Sequence, residues 1–178
     1  MVERLKYADW LDIGLALLAQ AGPDALTIDA VSARANRSKG SFYHHFETID
    51  AYLLALAETW REKHTEAVIR RAENAATPED KLDALNVLTS TVDQRVEQGF
   101  RALAVRNPAI ADLCHAVDQR RTQFLARLHA DAGIAPESAL MLARIEYAAF
   151  LGLAITEPRS TPEERQALYR RFIAFLRR

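Results

Sequence analysis

The chain has 178 residues, about half of them apolar, and a formal net charge of −1. That is enough to bury a real core in one or two small domains. The scarcity of Gly and Pro among many Ala, Leu, Arg and Glu favours helices over sheets. There is no unbroken run of about 18 apolar residues, so no membrane span is expected. The Leu11–Ala21 stretch is too short for one, carries Asp12 and lacks a basic leader, which argues against a signal peptide. A single cysteine, Cys114, excludes an internal disulfide and fits a reducing cytoplasm, the expected compartment.

In chain order, the first helix is predicted from about Leu5 to Ala21, with Leu5, Ala8, Leu11, Leu15 and Leu18 on one stripe. Gly22-Pro23 stops it. Thr27 can cap a second helix whose Ile28, Val31 and Ala35 share a face. Asn36 falls where a tight turn requires a left-handed residue. Ser38 can cap a third, very short helix with Phe42 and Phe46 towards the core and Lys39, Ser41, Tyr43 and His44 outside. Such a short helix is not stable alone and has to be displayed by its neighbours. Thr48 can then cap a long helix reaching about Asn74, with the stripe Leu53, Leu56, Ala57, Trp60, His64 and Ala67.

Two further starts, Thr77-Pro78-Glu79-Asp80 and Thr161-Pro162-Glu163-Glu164, combine a capping threonine, a first-turn proline and a carboxylate able to reach back. Pro108 and the 133–136 segment mark other breaks. The helix Ala109–Ala132 has the stripe Ile110, Leu113, Val117, Arg121, Phe124, Leu128. The last pair, near Glu137–Thr156 and Pro162–Arg177, is apolar on more than one side: Leu140, Met141, Ile145, Tyr147, Phe150 and Leu151 in the first, Leu168, Phe172, Phe175 and Leu176 in the second. Large apolar patches of this kind mark interfaces. The expected fold is all-α, with about nine helices joined by short linkers.

The small net charge hides its distribution. From Arg34 to His45 the chain carries Arg34, Arg37, Lys39 and two histidines with no acid, between flanks that hold Asp24, Asp29, Glu47 and Asp50. A local basic surface on a near-neutral protein suits nucleic-acid binding with modest non-specific affinity.

The segment Leu26–Leu54, with Leu26-Thr27, Ala35 before the turn, Gly40-Ser41-Phe42-Tyr43-His44-His45-Phe46 and then Leu53-Leu54, resembles the DNA-binding domain of TetR-family transcriptional regulators. The closely matched motifs cover about the first third of the chain. The resemblance implies a three-helix helix-turn-helix DNA-binding domain over residues 1–47 and a helical ligand-binding and dimerisation domain over 48–178. It also implies a homodimeric regulator, a repressor in most such proteins, bound to a palindromic operator and released by a small effector. The third helix would enter the major groove. Lys39 is then the candidate for a base edge, guanine N7 or O6, and Gly40 admits the backbone closely. Thr27, Ser41, Tyr43 and His44 would mostly hold phosphates, Arg37 either phosphate or base, and Ser38 at the head of the helix is counted with the DNA-binding residues. His45 faces away from His44 and reads equally as structural. The sequence departs from the family in having Glu47-Thr48-Ile49-Asp50 where many members place a phosphate-gripping lysine, so weaker non-specific binding is expected.

The resemblance further implies that the last two helices pair with their twofold mates, through Leu140, Tyr147, Leu151, Leu168, Phe172 and Phe175. An effector pocket would draw on Trp60, His64, Phe100, Leu103, Cys114, Arg121, Tyr147 and Phe150, which equally suit an ordinary core. His64 reads first as a core histidine. Arg121 in an apolar seam needs a partner, and an internal carboxylate such as Glu146 is preferred over an anionic ligand. No cofactor or metal is expected. Asp112 and His115, three apart, could begin a metal site, but Glu62, His64 and Glu66 do not supply the second pair a bundle site needs. No phosphate loop, nucleophile elbow or zinc signature supports an enzyme. The alternative is a helical dimeric ligand-binding or interaction module that has lost DNA binding; a redox role for Cys114 rests on one thiol.

Overall fold

The computed structural model describes residues 5–157 and 159–176, with the backbone alone at 162 and 176. Nine helices and no strand occur among the described residues. They are α1 (Tyr7–Ala21), α2 (Ile28–Arg34), α3 (Lys39–Tyr43), α4, α5 (Pro78–Ser90), α6 (Gln94–Ala104), α7 (Pro108–Asp131), α8 (Pro136–Thr156) and α9 (Pro162–Leu176). Helix α4 starts as Ile49–Arg61, passes through a π-helical turn Glu62–Glu66 and continues as Ala67–Glu73. The predicted helix to Asn74 is therefore present but locally underwound, which its apolar stripe did not announce. Arg177 and the Leu176 side chain lie outside the described residues.

Packing divides the chain into two compact units: residues 1–63 with 93–116, and 64–92 with 117–178. In the first, α1 packs against α2, the first part of α4 and α6. Leu11, Leu15 and Leu18 are buried as predicted, but Ala8 is exposed and Trp10 is fully buried. The reason is a close crossing at Gly14. A Cβ there would lie 2.0 Å from Tyr52 Oη. That hydroxyl donates to the Trp10 carbonyl at 2.9 Å, and burial pushes the phenol pKa up. A second small residue, Gly99 on α6, lets Leu18 approach to 2.5 Å from where its Cβ would be.

The local signals of the helix-turn-helix are realised as hydrogen bonds. Thr27 Oγ1 accepts from the Ala30 amide at 3.1 Å, Ser38 Oγ from Ser41 at 3.3 Å, and Thr48 Oγ1 from Ala51 at 3.0 Å. Each satisfies an amide that a helix start leaves without an internal partner. Asn36 has φ 52°, the left-handed turn its side chain tolerates.

The second unit has a core of Ile69, Ala72, Leu82, Phe124, Leu125, Leu128 and Ala143. Residues 67–73 of α4 pack on α5, and α9 packs on both α5 and α8. Thr77 caps α5. At α9 the cap is reciprocal: the Glu164 amide donates to Thr161 Oγ1 at 3.2 Å, and the Thr161 amide donates to Glu164 Oε2 at 2.8 Å. Helix α8 averages a hydropathy of 1.5 over 18 residues, long and apolar enough to cross a membrane by that measure. It nevertheless carries Arg144 and, buried at its middle, Glu146. Leu140, Met141, Ile145 and Ile155 of α8, and Leu168 and Phe175 of α9, are exposed in the single chain. Tyr147, Leu151 and Phe172 are half-buried.

Candidate nucleic-acid interface

Helix α3 is held from beneath. Phe42 is fully buried, with its ring centroid 5.7 Å from Trp10, 5.3 Å from Phe46 and 5.2 Å from Tyr52. These aromatic contacts, made on α1 and α4, anchor five residues that could not remain helical by themselves. Trp10 and Tyr52 were missed as core anchors. The spacing of Trp10, Gly14 and Leu18 along α1 was the available signal, since it forms a second row beside Leu11–Leu15–Leu18.

With Phe42 and Phe46 inward, the outer surface presents Ser38, Lys39, Gly40, Tyr43 and His44, all exposed, with Thr27 at the start of α2 also exposed. Ser41 and Arg37 are partly covered. Tyr43 leaves about half its surface, 53 %, in solvent, unusual for a tyrosine beside an aromatic cluster. His45 turns inward, its ring 6.2 Å from both Trp10 and Phe46 and 6.4 Å from Tyr7, which makes it a packing residue.

Gly40 is informative because nothing inside the protein requires it. Its φ is not positive, and an added Cβ would meet only Ser38 Oγ, at an unstrained 3.7 Å. Glycine costs helix stability relative to alanine. Gly40 therefore serves neither the turn nor the packing.

The cations are already engaged. Lys39 Nζ lies 2.6 Å from Asp29 Oδ1 on α2, and this hydrogen-bonded carboxylate pushes the ammonium pKa above its ordinary value. Arg34 donates to Gln20 Oε1 at 2.9 Å, and Arg37 to the Asn36 carbonyl at 2.8 Å. Glu47 and Asp50 are exposed at the start of α4.

The residues named for an effector pocket fall in both units. In the first, Trp60 and Phe100 stack at 4.8 Å and are fully buried, and Leu103 and Cys114 are buried core. In the second, Arg121 donates to Thr65 Oγ1 at 2.8 Å and to Tyr147 Oη at 3.1 Å, with the His64 carbonyl at 3.4 Å. Tyr147 in turn donates to Asp118 Oδ1 at 2.7 Å, and its ring stacks on Phe150 at 6.4 Å. The preferred partner, Glu146, is not the one found. It is held instead by His129 Nε2 at 2.6 Å and by the Tyr169 hydroxyl at 2.8 Å. The heptad-like spacing put Arg121 in the seam correctly, but it could not show that the π-helical turn brings Thr65 to it. A separate groove of about 460 Å³ between α5 and α9 is lined by Asp83, Asn86, Val87, Gln166, Arg170, Ile173 and Ala174. None of these was named for the pocket. Among the described residues no three His, Cys, Asp or Glu side chains gather as a metal site.

Comparison with known proteins agrees with this geometry. Residues 11–56 match the family model for bacterial regulatory proteins of the tetR family. No curated relative matches the chain by sequence. Among solved structures, a candidate transcriptional regulator from Saccharomonospora viridis in complex with choline superposes with a TM-score of 0.81 at 20 % identity, covering 94 % of this chain and 95 % of that one. A transcriptional regulator from Rhodococcus sp. Rha1 gives 0.79 at 21 %, covering 93 % and 92 %. The TetR transcriptional regulator from Legionella pneumophila gives 0.78 at 18 %, covering 97 % and 99 %. At these identities the superpositions establish a shared fold over nearly the whole chain. The family model lies on the helix-turn-helix itself, so residues 11–56 match the tetR-family DNA-binding domain and the rest of the chain shares the fold of the superposed regulators.

Proposed function

We propose that the protein is a sequence-specific, homodimeric DNA-binding regulator of cytoplasmic location, a repressor that a small effector releases from a palindromic operator. The observation that carries the DNA-binding part is the outward row Lys39, Gly40, Tyr43 and His44 on a helix whose opposite side is locked by Phe42 and Phe46. In this reading α3 lies in the major groove, Lys39 reads a base edge, and Thr27, Ser38, Ser41, Tyr43 and His44 hold phosphates, with Arg37 beside them. Homodimerisation is supported by the exposed apolar residues of α8 and α9, which a second copy would cover through Leu140, Tyr147, Leu151, Leu168, Phe172 and Phe175. It also accounts for the apolarity of α8 without a membrane.

An effector acts by preferring one of two spacings of the recognition helices, and nothing more is required for coupling. The Arg121–Thr65–Tyr147–Asp118 network is the polar group of the second unit best suited to sense one. The choline held by the Saccharomonospora protein makes that compound a reasonable first member of a ligand panel.

Selection from a random duplex library, at low salt and again near about 150 mM, tests the reading. The expected result is an enriched palindrome with half-sites about one helical turn apart. Absence of enrichment at both salts favours a dimeric interaction module without DNA binding, for which the exposed Glu47 and Asp50 are the supporting feature. Gly40→Ala separates the two roles of α3. Its thermal stability should hold or rise slightly, by about 0.5–1 kcal/mol at most, while affinity for the selected duplex falls at least tenfold. A variant that binds as well as the parent would mean that nothing approaches that backbone.

A further inference from the structure

The Lys39–Asp29 pair sets the candidate base-reading residue against an acid on the neighbouring helix of the same motif. Its 2.6 Å separation is that of a charge-assisted hydrogen bond. Asp29 has its own reason to be charged, standing in the first turn of α2 where the helix dipole favours an anion. Asp29 is also two residues from Thr27, one of the groups expected on a phosphate, so it stays close to any DNA that α3 reaches. Both side chains remain more than half exposed, 58 % and 75 %, so the pair can open without disturbing the core.

We propose that Asp29 is a specificity-determining residue that competes with DNA for Lys39. The proposal rests on the DNA-binding reading above. On a duplex without the matching base, exchanging the Asp29 carboxylate for a phosphate replaces one charge pair by another and leaves Asp29 unpaired in the field of the DNA. Lys39 therefore stays with Asp29 and adds nothing to non-specific affinity. When α3 seats on the matching sequence, a base edge offers Lys39 two acceptors in fixed positions, and the exchange becomes favourable. Asp29 thus lowers binding to every duplex, and lowers it most where no base answers the lysine. The missing cation at Glu47–Asp50 acts in the same direction, keeping non-specific binding low.

The experiment compares the parent, Asp29→Asn, Lys39→Ala and the double variant on the selected duplex and on a random one, across a salt series, with helix content followed by circular dichroism. For Asp29→Asn, affinity for the random duplex should rise on the order of tenfold per dimer. The slope of log affinity against log salt should steepen by about 0.9 for each phosphate newly engaged. The selected duplex should gain less, so discrimination falls. In the Lys39→Ala background Asp29→Asn should relieve only the repulsion of an unpaired carboxylate, raising both duplexes alike and leaving discrimination unchanged. A fall in discrimination of the same size without Lys39 would reduce Asp29 to general repulsion and overturn the proposal. So would weaker binding to the selected duplex with an unchanged random one, which would make Asp29 a positioner of Lys39. Parent binding with an unaltered Asp29→Asn slope overturns this proposal alone, whereas failure of every protein to bind any duplex overturns the DNA-binding reading with it.

Discussion

Lys39→Ala is expected to abolish operator binding with helix content unchanged, and Tyr43→Ala to do the same. Both side chains are exposed on α3 and neither supports the core, which depends on Phe42, Phe46, Trp10 and Tyr52. A well-placed base contact contributes about tenfold or more in affinity. If the protein binds as the proposed symmetric dimer, Lys39→Ala removes two such contacts, so a loss of about a hundredfold or more is expected, enough to bring the selected duplex close to a random one. The two variants differ in a second readout. Tyr43→Ala should weaken binding to all sequences similarly, as loss of a phosphate contact does, whereas Lys39→Ala should also relax the preference at one base position of each half-site. Fluorescence anisotropy on a set of single-base variants of the selected duplex would measure both. Undiminished affinity in both variants would remove α3 from the groove.

Glu146→Ala is expected to destabilise the second unit by about 1–3 kcal/mol, the usual consequence of leaving a buried hydrogen-bonding group without its partner. Glu146 is 1 % exposed and His129 is fully buried, and the carboxylate accepts from His129 on α7 and from Tyr169 on α9. Removing it leaves the fully buried His129 ring without this partner. If the proposed homodimer forms through α8 and α9, its dissociation and unfolding should coincide. Replacing Glu146 and His129 together by apolar residues of similar volume should cost much less than Glu146→Ala, because no buried imidazole is left unsatisfied. Urea unfolding of both variants provides the comparison, and equal destabilisation would show that the cost comes from losing the polar pair itself and not from leaving His129 without a partner.

The helix-turn-helix was legible because its information is local. Thr27, Ser38 and Thr48 cap helices through amides three residues ahead, and Asn36 makes the turn through its own backbone preference. The alternation of Phe42 and Phe46 against Lys39, Tyr43 and His44 follows from helical periodicity over a few residues. Gly22-Pro23, Thr77-Pro78 and Thr161-Pro162 marked helix ends for the same reason. The sequence boundary after residue 47 follows this motif, whereas the compact first unit also takes in residues 48–63 and 93–116. Nothing local to residues 93–116 announces that Gly99 will meet Leu18, because that contact depends on two segments far apart in the chain.

The partners of Arg121 and Glu146 were out of reach on similar grounds. Arg121 could be assigned to an apolar seam from its own helix, yet its neighbours depend on a π-helical turn in α4 and on the register of α8. Glu146 looked available only because the His129 and Tyr169 positions in space were unknown.

By itself the sequence determined the all-α class, the helix ends, the turn at Asn36 and the division of α3 into a packed and a displayed side, since each depends on propensity, capping or periodicity within one or two turns. Only the tertiary structure decided that Gly14 makes room for Tyr52, that His129 takes Glu146, and that Asp29 holds Lys39. Those outcomes are set by distances between helices, which short-range preferences leave open until the core has closed.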